Sequence, residues 1–265
     1  MYGCDFFFRG ESLSGHGYVL CSFDGSSSMS TVTTDSQKDF SSIAMFGGKY
    51  YPILYYTYGN ALMMEMDIYK PSGDRADNIS PAESAEIKRW LGCPTTQELT
   101  FCDDDYNEYH WNGTFNVEEV RAGGTIVGFH LTFQCTAPFG YKNLVTYNGT
   151  VEADGVVTIN DTSDDEGYIC PDVTITPSES GKLVITNGFD DRQTVINNCI
   201  AGEIITMTRL LQITSNNKTH EIADDFNWKF LRINNEYSNT TNELKFSLPC
   251  SYVISYYPVA KVVVA

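Results

Sequence analysis

Four histidines, several acidic pairs and eight cysteines are the groups through which this chain could do chemistry. His16, His110, His130 and His220 show no His-Glu-x-x-His spacing, and no two sit at ligand spacing on one element, so no zinc site is written here. His130 lies opposite the apolar face of its strand pattern and reads as a solvated or interface histidine. Asp103, Asp105 and Asn107 begin like positions 1, 3 and 5 of a calcium loop. Glu108 then stands where the sharp turn needs glycine, and Thr114 where a bidentate glutamate belongs, so a charged turn is expected. Asp164-Asp165-Glu166, Asp190-Asp191 and Asp224-Asp225 are turn-like as well, and nothing nominates the carboxylate pair, ~5–10 Å apart, of a glycosidase. Gly15-x-Gly17-x-x-Leu20 lacks the final glycine and the helix of a dinucleotide fingerprint. The cysteines contain no Cys-x-x-Cys and are too dilute for a disulfide scaffold, so reduced, mostly buried thiols are expected. No catalytic, cofactor-binding or metal-ligating residue is nominated, and no cofactor is expected.

Aromatic residues carry more information. The 17 tyrosines cluster at Tyr50, Tyr51, Tyr55, Tyr56 and Tyr58, and again at Tyr252, Tyr256 and Tyr257. Tyrosine offers rigid contact area with a polar end, which suits core filling in strands, a protein interface or a sugar-stacking platform. The first cluster is the candidate interface. Trp90, Trp111 and Trp228 are candidate structural anchors; Trp90 would dock a helix, while Trp111 and Trp228 suit either packing or ligand contact.

The elements that must position these residues are mostly strands. Ser80-Pro81-Ala82-Glu83 supplies an N-cap hydroxyl, proline at N1 and glutamate at N3. Ile87, Trp90 and Leu91 fall on one face before Gly92, so a helix is predicted over Pro81–Leu91. Val127, Phe129, Leu131, Phe133 and Cys135 alternate with polar residues, and so do Leu62, Met64, Met66 and Ile68, the pattern of half-buried antiparallel strands. These make a first β-sandwich or open barrel. After Ala137-Pro138-Phe139-Gly140 the strands shorten. Candidates include Val156–Ile159, Val173–Thr176, Lys182–Thr186, Leu210–Ile213, Lys229–Leu231, Leu244–Leu248 and Tyr252–Tyr256. A second β-sandwich follows, giving domains of 1–140 and 141–265 in an all-β chain with one short helix. Tyr147-Asn148-Gly149 reads as a turn near the boundary, and the Asn-x-Ser/Thr triplets read as polar turns.

The chain has 265 residues and a formal charge of −17, so a general electrostatic grip on nucleic acid is not expected. No run reaches 18 apolar residues and the start lacks a signal-peptide pattern, which points to maturation in a cytosol and no membrane insertion.

In order, Met1-Tyr2-Gly3, Phe6–Arg9, the Tyr50–Tyr69 region, Glu83–Leu91 ending in Arg89-Trp90-Leu91, Leu99-Thr100-Phe101, Asp103-Asp104, Tyr109-His110-Trp111, a Gly124–Phe133 strand and Phe133-Gln134-Cys135-Thr136-Ala137-Pro138-Phe139 resemble the distal tail proteins of long-tailed, siphovirus-type bacteriophages of Gram-positive hosts. Asp225-x-x-Trp228 is similar to part of that family's C-terminal domain, although Asn234–Asn239 departs from its usual glycine-asparagine turn. The resemblance implies a galectin-like C-terminal sandwich and a structural, non-enzymatic virion protein. It implies a homo-hexameric ring at the distal end of the tail, between the tail tube protein and the tail hub, baseplate or receptor-binding proteins. DNA would pass through an acidic lumen without specific binding. Assembly would take place in the host cytoplasm. The alternative is a carbohydrate-binding module or a wall-hydrolase component, which would show a concave aromatic groove and, for a hydrolase, a carboxylate pair with split pKa values.

Overall fold

The computed structural model describes residues 5–23, 38–42, 53–73 and 75–262. The chain divides into one unit of residues 1–141 with 260–265 and another of residues 142–259.

The first unit is built on one antiparallel sheet. Its order is Glu11–Ser12, Phe6–Phe8, Gln97–Phe101, Tyr109–Ala122, Thr125–Cys135, Met63–Tyr69 and Val19–Cys21. Met64, Met66 and Ile68 point into the core and Met63 and Glu65 out of it, as their period of two requires. The neighbouring strand does not keep its alternation. Val120 pairs with Gly128 and Arg121 with Ile126, so Val127 is skipped in a β-bulge. The slip moves the buried set to Ile126, while Phe129, Leu131, Phe133 and Cys135 keep their inward positions. Gly128 is required here, because a Cβ would fall 2.5 Å from the Ile68 carbonyl oxygen.

The helix Pro81–Leu91 forms for the predicted local reasons. Ser80 Oγ accepts from the Glu83 amide at 3.3 Å, and Glu83 returns an acceptor to the Ser80 amide at 2.8 Å. Ile87, Trp90 and Leu91 are buried on its inner face. Lys88 and Ser84 both reach Glu119 on the strand Tyr109–Ala122, at 2.6 and 2.9 Å, fixing the helix against the sheet.

The second unit is a two-sheet sandwich. One sheet runs Val145–Val151, Cys250–Tyr256, Asp172–Pro177, Ile205–Met207 and Ile213–Ser215; the other runs Val156–Asn160, Thr241–Phe246, Gly181–Asn187 and Arg192–Cys199. A two-stranded ribbon pairs Gly167–Ile169 with Ile233–Asn235. Inward residues such as Ile159, Val173, Ile175, Leu183, Ile185, Leu244 and Phe246 form one core. Among its buried polar residues is Asn242, fully buried beside Asn187 and Asn234.

Three local expectations fail in this unit. Tyr147-Asn148-Gly149 lies inside the strand Val145–Val151, where pairing with Cys250–Tyr256 overrides the turn signal. The expected strand at Leu210–Ile213 starts only at Ile213; Leu211 has φ 58° in a turn, and Leu210 and Leu211 are exposed. Lys229–Leu231 is not a strand. A four-residue helix, Ile222–Asp225, is added.

Candidate interface surfaces

The tyrosine cluster lies on a two-stranded hairpin, Lys38–Ser42 against Ile53–Tyr58, that is not part of the main sheet. The register sets Phe40 opposite Tyr56 and Lys38 opposite Tyr58. Tyr55 and Phe40 are each 60 % exposed and Tyr56 40 %. Lys38 Nζ lies 4.7 Å from the Tyr56 ring centroid, and Tyr58 meets Phe139 edge-on at 5.8 Å. A two-stranded ribbon is marginal in water by itself. This one turns an aromatic face outward. Tyr50 and Tyr51 lie outside the described residues.

Of the three tryptophans, two are packed. Trp90 is buried, donates from Nε1 to the Phe8 carbonyl at 3.1 Å and stacks on Phe6 and on His16. Trp111 is fully buried beneath Gly140, whose Cβ, if present, would lie 2.5 Å from Nε1. Trp228 meets Phe226 at 5.8 Å and Phe230 at 6.5 Å but is not buried. It is 60 % exposed at φ 58°, because Asn227 before it is bonded to the edge of the strand Arg192–Cys199 and the chain must turn sharply outward.

The titratable groups hold structure together. His130 Nδ1 lies 2.8 Å from Asp67 Oδ1, its register partner across the sheet, and that hydrogen bond raises its pKa. His16 contacts Glu11 at 2.7 Å. His110 is buried and stacked on Tyr141. His220 is buried between Glu203 at 2.6 Å and Asp225 at 3.2 Å. Sequence reading missed this last group because its members come from a strand-flanking loop and a short helix with no common period. Glu83 and Glu119 are held down at about 2 by ion pairs with Lys70 and Lys88. A general acid needs the opposite shift. Asp103 accepts from the amides of Asp105, Tyr106 and Asn107, making the expected charged turn. Among the described residues no group of three or more His, Cys, Asp or Glu is arranged to hold a metal ion. The described cysteines form no disulfide, and burial pushes the Cys135 thiol up to about 12 and those of Cys199 and Cys250 to about 11.

A groove of about 440 Å³ in the second unit is lined by Thr146, Asn148, Thr150, Val156, Thr158 and Tyr252 among others, with no charged side chain. Another of about 410 Å³ in the first unit borders Arg9, Glu11, His16, Glu86, Arg89 and Trp90. Both units carry twice as many acidic as basic residues. Among the described residues no helix is long and apolar enough to cross a membrane.

Two mostly β units bury most of their aromatic rings and leave a few exposed, among them Phe40, Tyr55, Tyr168 and Trp228. The chain belongs to a family of phage tail proteins: residues 1–137 match the phage tail protein N-terminal domain and residues 139–256 the phage tail C-terminal domain. It is thus a structural component of the virion tail. Its fold is similar to that of the Dit protein (gp 19.1) of phage SPP1, described as a paradigm of the hub adsorption apparatus in phages that infect Gram-positive hosts. The two share 14 % sequence identity at a TM-score of 0.68, over 96 % of this chain and 98 % of that one. No curated protein sequence matches.

Proposed function

We propose that this protein is the distal ring adaptor of a siphovirus-type tail. Copies of the first unit close a homo-hexameric ring that continues the tail tube, and the second unit engages the hub, baseplate or receptor-binding proteins. The observation that carries this reading is the end-to-end likeness in fold to SPP1 Dit, covering both units rather than one. The outward aromatic face of the Lys38–Ser42 and Ile53–Tyr58 hairpin supports it, since a marginal ribbon gains stability when a neighbour buries its rings. Heterologous contacts of this kind close a ring when the rotation between copies closes. The ring does no chemistry; it transmits attachment signals as a rigid body. The excess of acids keeps the passing DNA from adsorbing. Gold-labelled antibody on intact virions tests the placement. Label at the distal end of the tail is expected; label along the whole tube or at the head contradicts it.

A further inference from the structure

The second unit displays a group of side chains that its own fold uses only in part. Asn227 behaves as an added strand residue on the edge of Arg192–Cys199. Its amide donates to the Val195 carbonyl at 3.0 Å, its Oδ1 accepts from Val195 at 3.1 Å, and its Nδ2 donates to Gln193 at 2.9 Å. Phe226 bridges to Ile196 beside it. That closes the sheet edge. The next residue, Trp228, is then held at φ 58° with its ring 60 % exposed, supported by Phe226 at 5.8 Å and Phe230 at 6.5 Å. A bulky residue in the left-handed region costs ~1–3 kcal/mol and persists where the surroundings impose it.

Beside it lie two guanidinium groups. Arg192 Nε donates to the Phe230 carbonyl at 3.3 Å, and Arg232 lies over the Tyr168 ring at 3.8 Å. Tyr168 is 55 % exposed. Asn187, the register partner of Arg192, donates from Nδ2 to the Arg232 carbonyl at 2.9 Å, which places the two arginines in one patch. Asp190 accepts from the Arg192 amide at 3.1 Å, and exposed Asp191 precedes Arg192 directly in sequence. Among the described residues neither guanidinium has a carboxylate within 4.0 Å, in a unit where acids outnumber bases two to one.

We propose that Trp228, Tyr168, Arg192 and Arg232 form a docking site for an acidic segment of another tail protein. The inference rests on the adaptor reading and gives its outward-facing partner a chemistry. Trp, Tyr and Arg are the residue types that dominate interface hot spots, and guanidinium pairs most strongly with carboxylate. A second copy meeting the patch in a two-fold contact would set arginine against arginine. A neutral sugar would cover Trp228 and leave both charges unanswered.

The test uses phage whose tail carries p-benzoylphenylalanine at position 228, irradiated as intact virions, with the adduct mapped by mass spectrometry. The expected adduct is a segment of a different virion protein in which acids outnumber bases. R192E/R232E should cut its yield roughly tenfold or more, while R192K/R232K retains part of it. An adduct to another copy of this chain, to a saccharide or to a neutral segment overturns the proposal, and so does no adduct from a correctly placed protein. Absence of the chain from the tail tip overturns the adaptor reading instead. Trp228 is the exposed tryptophan of the three, so its emission gives a second readout with purified full-length protein. Decaglutamate should shift that emission in a salt-sensitive manner, whereas chitohexaose should not. The reverse result overturns the proposal.

Discussion

Replacing Asn242 by alanine removes the most fully used polar side chain in the second unit. Asn242 is 0 % exposed. Its Oδ1 accepts from Asn187 Nδ2 and from the Asn234 amide, both at 2.8 Å, and its Nδ2 donates to the carbonyls of Asn234 at 2.9 Å and Thr240 at 3.2 Å. Alanine leaves several of these groups buried without partners. At ~1–3 kcal/mol for each unsatisfied group, with partial relaxation, the loss should be about 3–5 kcal/mol. For a unit of this size that corresponds to a fall of roughly 10–20 °C in midpoint. Differential scanning calorimetry of the full chain should show the transition of residues 142–259 moving while that of the first unit stays. Asn242→Asp supplies the acceptors and loses the donors, so it should be more destabilising at neutral pH, where the carboxylate is charged, than in mild acid. A loss under ~1 kcal/mol for Asn242→Ala would refute the claim that this amide organises the sandwich interior.

Other predictions follow from single contacts. His130 has a raised pKa in the fold, so its link to Asp67 is fully present below the unfolded value and is lost as pH rises through the folded one. His130→Gln should therefore differ from the parent by up to ~1 kcal/mol in mild acid and converge with it at alkaline pH, in urea titrations at each pH. Gly140→Ala would drive a methyl into the Trp111 indole and should cost ~1–3 kcal/mol; unchanged urea stability would contradict the packing. In native protein, a thiol-specific reagent should label exposed Cys102 quickly and leave Cys135, Cys199 and Cys250 until unfolding, as read by peptide mass mapping.

What could be read from sequence was what local chemistry determines. The helix at Pro81–Leu91 carries its own start signal, first-turn proline and apolar face, and all three operate as local interactions. The Met63–Tyr69 alternation likewise needs only its period. The losses came where distant pairing decides. Val127 is skipped because the opposite strand sets the register, and Asn148-Gly149 is straightened by a partner strand a hundred residues away. Trp228 shows the same limit for function. Its exposure follows from Asn227 bonding to Gln193 and Val195, an event with no trace near position 228. The hairpin tyrosines could be nominated from composition, yet their outward direction depends on a ribbon lying apart from the main sheet.

The central claim is that this chain closes a ring. Light-scattering mass of the purified protein, at several concentrations and salt strengths and together with the purified tail tube protein, tests it most directly. The account predicts an annular species holding six copies of the 29.6 kDa chain, which dissociates when Tyr55 and Tyr56 are both replaced by serine. A chain that stays monomeric at every concentration and with its tube partner present would contradict it.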